Sequence, residues 1–299
     1  MNRSERHQKR KWKKIVSSIS ILLLIGLGIY AFSVYQSMNS ALSAMHDPIG
    51  RENINNKLSK KEPFSVLLLG VDEREGDSGR SDTMIVMTVH PENKSVKMVS
   101  IPRDTRTEIV GRGKEDKINH AYAFGGPEMS IATVENFLNI PIDYYMKLNM
   151  EGFKDIVDAV GGVTVQNDLD FTYNGTHFPK GEIKLDGESA LKYSRMRYDD
   201  SRGDFGRQQR QRQIIQAVMK EGASLSSLAN YDDIFKVIGK NVKTNMTFSE
   251  MMDIQKNYKD ATKTVEQIAV KGKGTKIDGV YYLLVSDEER QRVAGFMKG

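Results

Sequence analysis

The chain has no cysteine among its 299 residues. That excludes disulfides, thiolate metal sites and cysteine nucleophiles, and it is compatible with any compartment, an oxidising exterior included. Histidine is scarce too: five are scattered along the chain with no HExxH pair, so a helix-borne zinc hydrolase site has no basis. Neither GxxxxGK(S/T) nor GxGxxG occurs, which removes the glycine-rich phosphate loops of nucleotide-binding proteins. No internal repeat or low-complexity tract interrupts the sequence.

Charge is absent from one place in particular. Ile15 to Tyr35 (IVSSISILLLIGLGIYAFSVY) is 21 residues without a charged side chain. At ~1.5 Å per residue it spans roughly 31 Å, enough for a bilayer core. It is longer than the h-region of a cleaved signal peptide. Before it, residues 1–14 hold seven Lys/Arg and one Glu. Positive flanks stay in the cytoplasm, so the expectation is an uncleaved signal anchor over 15–35, a cytoplasmic basic N-terminus over 1–14, and everything later outside the membrane. The whole-chain charge of +5 then misleads, because residues 36–299 hold 37 basic and 38 acidic side chains. A body so nearly neutral, on the outer side of a membrane, is not a nucleic-acid binder.

Residues 36–62 are polar and weakly periodic and are expected to form an extracellular stalk. The domain proper is expected over 63–299, beginning with the buried-strand run FSVLLLGVD. TMIVMTVH and KSVKMVSI, separated by Pro91-Glu92-Asn93, predict a hairpin. GPEMSIATVENFLN (126–139) predicts a helix with Pro near its start. DYYMKLNM, EGFKDIVDAV and GVTVQ predict strand, helix and strand; DGESALKYSRM predicts a helix capped by Asp186. Strands alternating with helices indicate an α/β layered domain, and the hairpin makes its central sheet mixed.

Four stretches carry candidate chemistry. In LLLGVDEREGDSGRSDTMIVM, Asp72 ends one strand and Asp82 precedes the next, so the two carboxylates could meet at a sheet edge and hold Mg²⁺ (Mn²⁺ as a substitute), or could simply cap turns. SIPRDTRTEI places Arg103 and Asp104 at another strand end, where a plain surface pair is the alternative. DKINHAYAFGG offers Lys117 as an anion contact; His120 reads more readily as structural. Last, YSRMRYDDSRGDFGRQQRQRQ holds six arginines. A helix is expected to start near Asp204–Gly206, putting Arg207 in its first turn with Gln211 on the same face. That turn supplies free N–H groups and positive charge for phosphate, and arginine adds bidentate contacts. Arg195 and Arg197 sit where the preceding helix breaks. Arg202, Arg210 and Arg212 are expected to be surface or supporting charges.

Taken in order, LLLGVDER, RSDTMIV, SIPRDT, KINHAYAFGG, VGGVTV, LDGESALKYSRMRY and DFGRQQRQRQ resemble the LytR–CpsA–Psr family of bacterial cell-wall enzymes. Each motif alone is modest; seven in sequence order are specific, and they cover residues 64 to 215. The resemblance implies an α-β-α layered domain and a phosphotransferase acting outside the membrane. It would move an anionic glycopolymer, such as teichoic acid, from undecaprenyl diphosphate onto a hydroxyl of peptidoglycan N-acetylmuramic acid. It further implies Mg²⁺ on Asp72 and Asp82, and a diphosphate pocket of Arg80, Arg103, Lys117, Arg195, Arg197, Arg207 and Gln211. Asp104 and Asp204 are the nearest candidates for a general base, orienting arginines being the alternative role for both. The polyprenyl tail would lie in an apolar tunnel, with IATVENFL and IIQAVM as candidate walls, plain core packing being the alternative for both. A lipid-diphosphate pyrophosphatase and a non-enzymatic envelope regulator are the competing readings.

Overall fold

The computed structural model describes residues 43–50, 55–72, 79–224 and 241–299, with isolated positions 36, 40 and 239. Its strands are β1 (Phe64–Val71), β2 (Ser81–His90), β3 (Ser95–Ser100), β4 (Arg106–Ile109), β5 (Lys114–Lys117), β6 (Tyr144–Leu148), β7 (Val163–Asn167), β8 (Phe171–Tyr173), β9 (Thr176–Phe178), β10 (Gly181–Leu185), β11 (Val242–Thr244), β12 (Thr264–Ala269), β13 (Lys273–Ile277) and β14 (Val280–Leu284). Its helices are α1 (Asn55–Ser59), α2 (His120–Leu138), α3 (Met150–Ala159), α4 (Gly187–Arg195), α5 (Asp204–Ser224), α6 (Phe248–Tyr258) and α7 (Asp287–Lys298).

The central sheet has six strands in the order β11-β6-β1-β2-β3-β12. The expected hairpin is β2–β3, and β1 pairs antiparallel with β2. β6 and β12 add in parallel to β1 and β3, while β11 runs antiparallel to β6, so the sheet is mixed as expected. Because strand side chains alternate, β1 feeds both faces. Leu67, Leu69 and Val71 join α2 and α7 in one core, through Ile131, Val134, Phe137, Val293 and Met297. Phe64, Val66 and Leu68 face the other way, toward Ile215 and Met219 of α5 and Met251 and Tyr258 of α6. A third apolar cluster lies where α3, α4 and α5 cover β7 and β10, with Phe171, Phe178 and Tyr193 stacked inside it.

Two expectations change here. The helix foreseen over 126–139 starts earlier, at His120, and is broken in its middle by Gly125 (φ −153°) and Gly126 (φ 62°), with Pro127 opening the second piece. A proline lacks the N–H that would bond back, so it tolerates the first turn of a helix and not its interior. The stalk is also shorter than 36–62. Met45 and Leu58 are buried, at 5% and 1% exposure. His46 bridges to Thr244, Asp47 N–H donates to Thr244 O at 2.8 Å, and Lys57 pairs with Asp143 at 2.6 Å. The apolar positions in an otherwise polar stretch have found the sheet. The basic N-terminus and the expected anchor over 15–35 lie outside the described residues; among those described, no helix is long and apolar enough to cross a membrane.

Candidate functional site: a cationic pocket joined to an apolar one

The register of β1 against β2 slips at one point. Gly70 pairs with Thr83 and Val71 with Ser81, so Asp82 is the extra residue of a bulge. Bulges re-aim the side chain they carry and recur beside active sites. Gly70 makes the bulge possible, since a Cβ there would sit 2.9 Å from Thr83 Cβ. Asp72 follows the end of β1 directly, and both carboxylates emerge at the same end of the sheet.

The next pair of strands ends beside them. Ile101 N–H continues the ladder to Met84 O, and Thr105 N–H then closes a tight turn onto Pro102 O at 3.0 Å. That turn holds Arg103 and Asp104. Arg103 Nη1 lies 3.0 Å from Asp82 Oδ1, and Asp104 Oδ1 lies 2.6 Å from Lys117 Nζ at the end of β5. The hairpin β13–β14 pins the turn from behind, Leu283 N–H donating to Asp104 O at 2.9 Å. Burial disfavours the Arg103 charge, but Asp82, Asp104 and Asp204 together outweigh it and hold the guanidinium above the ordinary arginine value.

Helix periodicity decides which residues of the arginine-rich stretch join this site. On α5, Arg207, Gln211 and Ile215 are four apart and line a cavity together. Arg210, Ile214 and Ala217 form a neighbouring stripe that turns toward the third core. Leu191, Ser194 and Arg195 of α4 face the same cavity, and the Arg195 guanidinium lies against Met150 Sδ. The helix stops at Arg195, where Met196 turns to extended backbone. Arg197 follows, with its guanidinium 5.7 Å from the Tyr198 ring.

Arg207 is the most telling of these. Its side chain is 14% exposed and pairs with Asp204 at 2.5 Å, yet its Nε is buried without a hydrogen-bond partner among the described residues. Burial depresses its pKa; Asp204 acts against that, and the charges of Arg103 and Arg197 add to the depression. Like charges gathered around a half-dehydrated guanidinium are unfavourable until an anion arrives between them.

Two cavities meet here. One, of about 220 Å³, is mainly apolar, walled by Leu68, Val71, Leu148, Phe153, Leu191 and Ile215. The other, of about 400 Å³, is polar, walled by Arg80, Arg103, Asp104, Lys117, Asn119 and His120. Asp72 and Asp82 line both. The candidate residues thus converge: Asp72, Arg80, Asp82, Arg103, Asp104 and Lys117 around the polar space, Arg195, Arg207 and Gln211 around the apolar one. Arg197 and Asp204 line neither and reach the site through Arg207. Among the described residues no cluster of three or more His, Cys, Asp or Glu side chains makes a preformed metal cage. Two carboxylates at a shared wall nonetheless fit Mg²⁺, which commonly takes one or two carboxylates and completes its shell with phosphate oxygens and water.

One expectation needs correction, and the structure narrows others. IIQAVM supplies Ile215 to the apolar cavity, but IATVENFL packs in the core on the opposite face of the sheet, because α2 covers the side of β1 that carries Leu67 and Leu69. Of the two roles foreseen for Arg210, surface or supporting charge, the structure shows the second: it is 1% exposed and paired with Asp200 at 2.7 Å. Arg212 is buried as well, bonded to Ser100 and Gln267, and burial lowers its pKa to about 10. Asp104 and Asp204, the nearest candidates for a general base, are ion-paired, Asp104 with Lys117 and Asp204 with Arg207, the second arrangement matching the alternative of orienting an arginine; Asp204 also accepts from Gln208 at 2.7 Å. Asn119 was missed altogether. It occupies the N-cap position of α2 without capping it, and nothing but its place before His120 in the KINHAY run could have marked it.

A model of the LytR_cpsA_psr family matches residues 32–298. The chain belongs to that family. One relative, the polyisoprenyl-teichoic acid–peptidoglycan teichoic acid transferase TagU of Bacillus anthracis, is 58% identical over 288 residues, 95% of each chain. Among solved structures of the family, B. subtilis TagU superposes with a TM-score of 0.65 at 50% identity, covering 79% of this chain and 95% of that one. TagT bound to LI-WTA gives a TM-score of 0.70 at 31% identity, covering 85% of this chain and 98% of the other. Family membership carries the fold, a mixed sheet flanked by helices.

Proposed function

We propose that this protein transfers a teichoic-acid-type glycopolymer from a polyisoprenyl (undecaprenyl) diphosphate carrier to a peptidoglycan hydroxyl, leaving a phosphodiester. The observation that carries this reading is the shared wall. A lipid diphosphate is apolar at one end and doubly anionic in the middle, and here an apolar cavity and a cationic one abut along Asp72 and Asp82. The prenyl chain would enter between Leu68, Phe153 and Ile215. The diphosphate would then lie among Arg103, Arg195, Arg197 and Arg207, with Gln211 donating from the same helix face, while Arg80 and Lys117 meet the polymer-side phosphate. The polymer would leave through the open polar side, where the acceptor also enters.

Asp72 and Asp82 would hold Mg²⁺, which when bound neutralises diphosphate charge and withdraws electrons from phosphorus. The chain's own part is positioning. Arg103, fixed by Asp82 and Asp104, and Arg207, fixed by Asp204, present donors where negative charge grows on the departing lipid phosphate. Because these donors are already held by ion pairs, little reorganisation is needed when the charge moves. In the same reading residues 15–35 anchor the chain and the domain works on the outer side of the membrane, where its carrier and acceptor are.

Purified full-length protein in liposomes, given lipid-linked polymer and peptidoglycan fragments, is expected to yield a covalent conjugate by mass spectrometry. Release of free phosphorylated polymer with no conjugate would replace the transferase reading with hydrolysis. Arg103→Ala is expected to slow conjugate formation on the order of 10²-fold or more; turnover within threefold of wild type would remove Arg103 from the clamp.

A further inference from the structure

Transfer to a hydroxyl needs somewhere for the proton to go, and the acidic residues of the site are all engaged. Asp104 and Asp204 already spend carboxylate oxygens on ion pairs, Asp104 with Lys117 and Asp204 with Arg207. Asp72 and Asp82 are assigned to the metal. The remaining group on the polar wall with basic chemistry is His120.

Its setting is specific. His120 is the first residue of α2, and it lines the polar cavity together with Asp82 and Arg103. Nδ1 lies 2.9 Å from Asp116 Oδ2. The other Asp116 oxygen accepts the Lys117 backbone N–H at 2.7 Å and the Tyr282 hydroxyl at 3.5 Å. Burial pushes the Asp116 carboxyl up, but His120, Lys117 N–H and Tyr282 outweigh it and hold it below the usual aspartate range. It is therefore a carboxylate, and a carboxylate at Nδ1 selects the tautomer with the proton on Nδ1 and the lone pair on Nε2. Phe124, one turn along α2, meets the ring edge-on at 6.1 Å and limits its rotation. A base in reach of the cavity, oriented by a third group, is the arrangement that activates oxygen nucleophiles on unrelated folds.

We propose that His120 is the general base for the acceptor hydroxyl, with Asp116 as its positioning residue. The proposal rests on the transferase reading. In the step, the sugar O–H bond breaks and its proton passes to His120 Nε2. The oxygen bonds to the polymer-side phosphorus, and the bond from that phosphorus to the bridging oxygen breaks, its electron pair leaving on the lipid phosphate. The imidazolium then returns its proton to water or to that phosphate, and no oxidation state changes. The charged groups facing the ring are Asp116 and Lys117 from β5, Arg103 and Asp104 from the turn after β3, and Arg80, Asp72 and Asp82 from the β1–β2 end of the sheet.

The test uses full-length His120→Gln, which can keep the Asp116 hydrogen bond, and His120→Ala, in the liposome transfer assay across pH. Conjugate formation is expected to fall on the order of 10²–10⁴-fold, with carrier affinity unchanged within threefold in a direct binding measurement. The fall in wild-type rate on acidification should vanish in His120→Gln, and added imidazole should restore part of the His120→Ala rate. Asp116→Asn should slow transfer less while keeping a pH-dependent rate. Transfer by His120→Gln within threefold of wild type, or the same acid limb in both, overturns the assignment while leaving the transferase reading intact. Absence of conjugate from wild type itself overturns both.

Discussion

Arg210→Ala is expected to cost about 3–5 kcal/mol of folding stability, the range for stripping one partner from a buried ion pair. The loss should appear as a shifted denaturation midpoint at neutral pH. The Arg210 guanidinium donates to Asp200 Oδ2 at 2.7 Å and to Met196 O at 2.6 Å, and it lies 5.5 Å from the Phe171 ring and 6.0 Å from the Tyr193 ring. Asp200 also receives Arg202, which reaches on to Asp168. Helix α5 approaches so closely that a Cβ on Gly206 would fall 2.0 Å from Asp200 Oδ2. Alanine at position 210 leaves a nearly dry carboxylate short of a donor and the Met196 carbonyl without one.

The loss should depend on pH in a fixed direction. Hydrogen bonds from Arg202, opposed by burial and reinforced by Arg210, hold the Asp200 carboxyl far below the usual carboxylate range. A depressed native pKa contributes stability in full above the unfolded value of about 3.9 and loses it as pH falls toward the native one. The gap between wild type and Arg210→Ala should therefore be widest at neutral pH and narrow below about pH 4. A gap under 1 kcal/mol at neutral pH, or one that widens in acid, would be inconsistent with a pair that matters. Replacing both partners by apolar residues should recover much of the loss, because the buried charge is then gone altogether.

Asp82→Asn is expected to reduce transfer on the order of 10²–10³-fold, the cost of one well-placed electrostatic group, with little change in melting temperature. Asp82 does two things from its bulge: it faces both cavities and it anchors Arg103 Nη1. The two can be separated. If its carboxylate holds Mg²⁺, the variant should need a higher Mg²⁺ concentration for half-maximal rate. If it only steers Arg103, the concentration dependence should match wild type at a lower plateau. A variant within threefold of wild type at all concentrations would remove Asp82 from the site.

What could be foreseen in the sequence was local. The apolar run of β1, the β2–β3 hairpin, the Asp186 cap and the pairing of Arg207 with Gln211 follow from periods of two and 3.6 that need no knowledge of distant neighbours. The misses depend on what packs against what. Arg210 sits three residues from Arg207 and looks as exposed as its neighbours; its burial depends on Asp200 and on a cluster built from β7 to β10, far away in the chain. The bulge that turns Asp82 into the cavity is a matter of register between strands, and no residue type marks it. IATVENFL carried the right apolar pattern for a tunnel wall, but pattern does not say which face of the sheet a helix will cover. The role proposed for His120 could not be read either, because its partner, Asp116, is an ordinary strand-end residue until the helix start brings the two together.

The segment ahead of β1 bears on how this protein behaves in solution. β11 is the last strand at its side of the sheet, and the chain around His46 and Asp47 lies along its outer edge. An uncovered edge offers unpaired N–H and C=O groups to any other chain. A fragment begun at the expected boundary of residue 63 would bare that edge together with the apolar sites of Met45 and Leu58. Self-association of such a fragment would then reflect the cut and not the native protein. A piece that keeps this edge covered must include Met45, His46 and Asp47.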